Sequence, residues 1–157
     1  MNVIGLGQAG CNISEVLSRH PQYNIFKIDV DIKGSQCYNI EKQEDPESYE
    51  RNTPDLGSFF GGIKGETLFI IGGSGHISAM CLRIMEQIKD KCELSVLYIR
   101  PDTSLLSKNK TLHESATYNV LQQFARSGLL GTLYLVSNTN LENILGEVPI
   151  IGYNSKI

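Results

Sequence analysis

At 157 residues, with 41% hydrophobic and 20% charged side chains, the chain has the size and balance of one globular domain, able to bury about two thirds of its unfolded surface around a single core. Fourteen Lys and Arg against seventeen Asp and Glu leave a net charge of −3, which argues against a surface for duplex nucleic acid. No apolar run approaches the length of a membrane span, and no basic-then-apolar leader opens the chain. Four cysteines (Cys11, Cys37, Cys81, Cys92) form no C-x-x-C pair, and three histidines (His20, His76, His113) form no H-E-x-x-H helix. Reduced thiols in a cytoplasmic protein are therefore expected, without a metal site or a disulfide framework.

The first expected element is a strand at residues 1–4, leading into Gly5-Leu6-Gly7-Gln8-Ala9-Gly10. Three glycines spaced G-x-G-x-x-G between a strand and a helix let a backbone turn tightly and pass close to a phosphate, which the helix start then meets with unpaired N–H groups. The same glycines can also serve only to turn a strand into a helix. Helical spacing of Ile13, Val16 and Leu17 predicts a helix over residues 10–20, stopped near Pro21. A second strand is expected at residues 25–28, ending in Asp29-Val30-Asp31. Residues 33–65 read as a mobile connection, with a short helix near 35–40 and an acidic run at 41–51 that forms a solvated face.

Thr67 to Ile71 reads as a buried strand, followed at once by Gly72-Gly73-Ser74-Gly75-His76-Ile77-Ser78. The helix after it is the clearest in the chain. Ile77, Met80, Cys81, Ile84, Met85 and Ile88 face inward, and Arg83, Glu86, Gln87 and Lys89 outward. A strand at 94–99 closes on Arg100-Pro101, and a helix at 112–126 presents Leu112, Ala116, Val120, Leu121 and Phe124, with Gly128 as its stop. A fifth strand at 133–136 ends in Ser137-Asn138-Thr139-Asn140, followed by a helical turn near 141–145 and an apolar stretch at 148–153. Strands alternating with helices at this spacing predict an α/β fold of three layers, a doubly wound, mostly parallel sheet of about five strands, with ligand beyond the strands' carboxyl ends.

Two nucleotide readings compete. An NAD(P)-binding Rossmann domain would use Gly5, Gly7 and Gly10 for the pyrophosphate and Asp29 or Asp31 for the ribose 2′-hydroxyl. A Walker-type P-loop is excluded, because neither glycine turn ends in G-K-[ST].

The second reading comes from resemblance. Gly7-Gln8-Ala9-Gly10-Cys11-Asn12-Ile13 resembles the first nucleotide loop of the tubulin/FtsZ family, G-Q-[AC]-G-x-[QN]-I in the tubulins. The turn from Gly72 to Ser78 stands where that family carries G-G-G-T-G-[ST]-G, Arg100-Pro101 matches a strand ending in T-R-P, and Val136 to Leu141 resembles I-P-N-D-[RK]-L. The resemblance covers nearly the whole chain and implies a GTP/GDP-binding domain over residues 1–157, with Mg2+, self-association into a homopolymer and a filament-forming cytoskeletal role.

By that resemblance Gly7, Gln8, Ala9 and Gly10 cradle the β-phosphate, Gly10 making the closest backbone approach, with side-chain contacts from Gln8 and Cys11. Gly73, Ser74 and Gly75 approach the terminal phosphates, Gly72, His76, Arg100 and Pro101 also belong to the nucleotide site, Asp31 acts on the magnesium through water, Asn138 reads the guanine edge and Tyr153 stacks on the base. The chain also departs from the family. His76 and Ser78 replace two signature glycines, and Leu105 stands at an expected ribose-binding acid. The chain ends at Ile157, where a long central helix and a catalytic N-x-D-x-x-[DE] loop are expected to follow. No residue of this chain is assigned to activate water, and a degenerate nucleotide fold serving as a structural or protein-interaction module is a third reading.

Overall fold

The structure is a computed structural model that describes residues 1–73, 75–101, 107–128 and 130–137. Apolar runs build five of the six strands, β1 (Asn2–Leu6), β2 (Asn24–Asp29), β4 (Glu66–Gly72), β5 (Glu93–Arg100) and β6 (Leu133–Ser137), and β3 (Cys37–Asn39) is a short edge strand. They form one sheet in the order β3-β2-β1-β4-β5-β6, every neighbouring pair parallel. The doubly wound parallel α/β architecture expected from the sequence is present, with one strand more than expected. A sheet of this kind is buried on both faces, which is why β1 and β4 read as nearly continuous apolar runs rather than alternating ones.

Helix α1 (Gly7–Leu17) covers one face, where Val3, Ile13, Ile70 and Ile99 pack together. The other face carries the larger cluster, in which Leu6, Ile28, Phe69 and Tyr98 meet the segment at 40–63 and the helices that follow. Those helices are α2 (Pro46–Arg51), α3 (Gly57–Phe60), α4 (Cys81–Ile88) and α5 (Lys108–Arg126).

The stretch expected to be a mobile connection is structured. Near residues 35–40 the chain forms β3 rather than a short helix, docked by Lys27 N–H donating to Gln36 and Ile40 N–H donating to Asp29. A three-residue edge strand is too short to show an apolar period. The acidic run is not merely a solvated face. Asp45 Oδ1 accepts from Ser48 N–H at 2.7 Å, Pro46 opens α2, and Tyr49 is buried beneath it. Phe59 and Phe60 then meet Phe26 edge-on, at 5.5 and 5.4 Å between ring centres.

Two helix faces also differ from expectation. The six inward residues of the helix after β4 are all buried, but Gln87 is not simply outward. It accepts from Leu56 N–H at 2.8 Å and donates to the Pro54 carbonyl at 2.9 Å, tying the 40–63 segment to α4. In α5 the first turns present Glu114 and Thr117 to the interior while Leu112 is 60% exposed. A buried polar pair at the start of the helix rotates the apparent apolar stripe.

Candidate functional site at the carboxyl edge of the sheet

Because all six strands are parallel, the turns after β1, β2, β4 and β5 leave from one edge. The order of the strands reverses direction between β1 and β4, which places a crevice there. Both glycine turns border it. Leu6 pairs with Ile71, and the first turn and the second then touch: a Cβ on Gly72 would stand 3.1 Å from Ala9 Cβ, and one on Gly7 would stand 3.0 Å from Ile77.

The three glycines of the first turn do different things. Gly5 faces α1, where a Cβ would lie 2.4 Å from Ser14 Oγ and 2.5 Å from the Gly10 carbonyl oxygen. Gly10 faces β4, where a Cβ would lie 2.4 Å from the Ile70 carbonyl oxygen. These two let the helix sit directly on the strands. Only Gly7 has a left-handed backbone, with φ at +75°, and it opens α1. That helix has no acidic residue in its first turn and, among the described residues, no side-chain cap, so its leading N–H groups and positive dipole end suit an anion. Gly10, expected to make the closest approach to phosphate, is buried, with the side a Cβ would occupy packed against β4. Gln8 is exposed and Ala9 half-buried, both at the turn's outer surface.

Cys11, expected to contact the nucleotide, lies buried beneath the turn. Its thiol donates to the Gly5 and Ile28 carbonyls, both at 3.5 Å, and burial pushes its pKa up to about 12. It ties β1 to β2 rather than facing outward.

Beside the first turn, Leu6 pairs with Ile28, so Asp29 leaves β2 next to Gly7. Asp29 is half-buried, accepts from Val30 N–H at 2.7 Å, and is held above the usual carboxylate range by loss of hydration. Asp31 is exposed, with a left-handed φ of +56°.

In the second turn, Gly73 donates its N–H to the Ile99 carbonyl at 2.9 Å, and a Cβ there would collide with the Tyr98 hydroxyl at 2.4 Å. Gly75 is extended and exposed, and His76, half-buried, starts a 3-10 turn (His76–Met80). Ser78 folds that turn back by donating its hydroxyl to the Gly72 carbonyl. Ser74, Asn138 and Tyr153 lie outside the described residues.

Arg100 and Pro101 close β5 one residue beyond the Gly72–Ile99 pair. The Arg100 Nε donates to Glu114 Oε1 at 3.0 Å, and its guanidinium carbon lies 4.2 Å from the centre of the Tyr118 ring. Tyr98 donates to the same Glu114 oxygen at 3.1 Å. The bond to Glu114 raises the pKa of Arg100, while burial, and then Glu114, raise that of Tyr98. Sequence reading did not single out Tyr98 or Glu114 for this site. Glu114 is expected from the sequence to point outward from its helix, as a charged side chain of an amphipathic helix ordinarily does, and the structure instead buries it.

A cleft of about 680 Å3 between α2 and α4 includes no residue of either glycine turn, and two of its charges, Glu50 and Arg83, pair with each other. Among the described residues no helix is long and apolar enough to cross a membrane, and no cluster of His, Cys, Asp and Glu is able to hold a metal ion. The four cysteines are free thiols.

No protein-family model and no curated protein matches the chain. Among solved structures, a short chain dehydrogenase family protein from Francisella tularensis subsp. tularensis SCHU S4 is similar, with a TM-score of 0.54 and 10% identity over 80% of this chain. The chain spans 63% of that protein's length. At that identity the likeness establishes the fold: a Rossmann-like, all-parallel α/β sheet. It also corrects the vocabulary taken from the motif resemblance. This solved structure is that of a dehydrogenase family protein, so the terms tubulin-like, FtsZ-like, GTP-binding, GTPase, cytoskeletal and polymer-forming give way to Rossmann-like.

Proposed function

We propose that the chain is a nucleotide-binding domain that holds the diphosphate of NAD on the turn between β1 and α1. One observation carries the reading. The left-handed Gly7 opens an uncapped helix free of acidic residues in its first turn, directly beside a half-buried acid, Asp29, at the carboxyl end of the adjacent strand. In doubly wound sheets this pairing serves a dinucleotide, the helix start meeting the pyrophosphate and the acid accepting from the adenosine ribose. Gly5 and Gly10 fit the same arrangement, because they allow the close helix–strand contact that brings the helix start to the crevice.

The donor set favours NAD over NADP. Asp29 and Asp31 both follow the ribose position, and a 2′-phosphate beside them would meet like charge. The group itself would supply hydride transfer when bound. What this chain's residues do is hold and orient it, and no reacting side chain is assigned.

Calorimetric titration with NAD, NADP, GTP and GDP, each with and without magnesium, tests the reading. NAD is expected to bind, and NADP at least about tenfold more weakly. Binding of a guanine nucleotide without NAD would overturn it. So would no binding at all, which would leave the glycines to packing and the domain to a structural or interaction role.

A further inference from the structure

We infer that Arg100 is a prepositioned anion-binding residue, which holds the carboxylate or phosphate group of a second small molecule bound at the carboxyl edge beside the nucleotide. The identity of the neighbour rests on the NAD reading, but the anion site itself does not.

Three features build the site. Arg100 is the last residue of β5, on the edge where ligands of doubly wound sheets lie, and it follows the pair that joins β5 to the second glycine turn. Its side chain is fixed on two sides. Nε is held by Glu114, which is fully buried, and the guanidinium plane rests over Tyr118. Tyr98 fixes Glu114 in turn, so the holding carboxyl cannot swing away. Even so, the Arg100 side chain remains 39% exposed.

An arginine that only neutralises a buried acid is best served by a two-pronged bond with both carboxyl oxygens. Among the described residues just one guanidinium nitrogen is used, and Glu114 Oε2 is buried with no hydrogen-bond partner. The geometry spends Nε on orientation and leaves the outer fork of the guanidinium to the solvent side. That fork matches the paired oxygens of a carboxylate or phosphate. Gly73 packs closely against the base of this corner, since a side chain there would strike the Tyr98 hydroxyl and Pro101.

The test uses the whole chain, with malonate and inorganic phosphate as separate probes, titrated by calorimetry with and without saturating NAD. One of the two is expected to bind, and the one that does identifies carboxylate or phosphate as the preferred group. Arg100→Gln should weaken that probe about 10- to 100-fold, the loss of a charge-assisted pair of hydrogen bonds. Arg100→Lys, which keeps the charge but not the fork, should fall between the two. NAD affinity should be unchanged in both variants. Thermal unfolding separates structure from binding: a lower melting temperature with unchanged probe affinity would make Arg100 only the partner of Glu114 and overturn the inference. Neither probe binding to the wild type would also overturn it. A parallel loss of NAD affinity would place Arg100 in the dinucleotide site instead. Failure of NAD to bind while a probe still binds would refute the nucleotide reading alone.

Discussion

Gly10→Ala tests whether the first glycine turn is built for packing as well as for a ligand. The added methyl would lie 2.4 Å from the Ile70 carbonyl oxygen and 3.3 Å from the Gly5 carbonyl carbon. Both are main-chain atoms, so neither can rotate aside, and α1 must lift from the sheet. Overpacking of this kind costs about 1–3 kcal/mol, and a backbone contact belongs at the upper end. Alanine recovers about 1 kcal/mol of helix propensity relative to glycine. The net expectation is a loss of about 2 kcal/mol, or about 4–8 °C in melting temperature for a domain of this size. Urea unfolding without ligand, followed by circular dichroism, should show the midpoint fall by about 1 M with no change in slope. Gly62→Ala is the control, since a Cβ there meets nothing within 4 Å. It should leave the midpoint in place or raise it slightly by restricting the unfolded chain. If Gly10→Ala matched Gly62→Ala, the tight helix–strand contact would be wrong and the glycine would have to be explained by a ligand.

Three further outcomes are expected. Asp29→Asn should weaken NAD binding about tenfold while stabilising the free protein at neutral pH. Its folded pKa is raised by desolvation, so stability falls as pH climbs from the ordinary carboxylate value through the raised one, and the amide escapes that loss; chemical denaturation at pH 4 and pH 7 for both proteins checks it. Glu114→Ala should destabilise the fold by about 2 kcal/mol, below the usual figure for breaking a buried pair because Arg100 can turn to water, and urea unfolding reads this directly. Alkylation of the native protein near pH 8 followed by peptide mass spectrometry should modify the half-buried Cys37 well before Cys11 or Cys81, whose thiols burial pushes up to about 12.

The fold was legible because parallel strands buried on both faces leave a strong trace. Val3, Ile4 and Leu6 in β1, and Phe69, Ile70 and Ile71 in β4, are apolar in sequence for the reason that each is covered in the structure. The helix after β4 was legible for the same reason: its six inward residues share one stripe. What escaped detection depends on partners far away in sequence. β3 exists only through its ladder to β2, and Tyr49 is buried because the segment around it folds under the sheet's far face. Glu114 escaped for a sharper reason. Its place inside is set by Tyr98 and Arg100, and no periodicity within α5 encodes two side chains on another strand.

The candidate site shows how one short motif serves two demands at once. Gly5 and Gly10 are required by the contact of a helix with the strands beneath it, and they would be needed if no ligand ever bound. Gly7 answers a different demand, the left-handed turn at which β1 passes into α1. Any fold that docks a helix this closely after its first strand meets the first demand, so the spacing alone cannot choose between nucleotides. The discriminating chemistry lies in side chains beyond the strand ends, first Asp29 beside the turn and then Arg100 across it. A dinucleotide needs the acid. A second, anionic molecule needs the cation. The sheet brings both to the same edge because β2 and β5 each lie on the outer side of the two strands, β1 and β4, that carry the glycine turns.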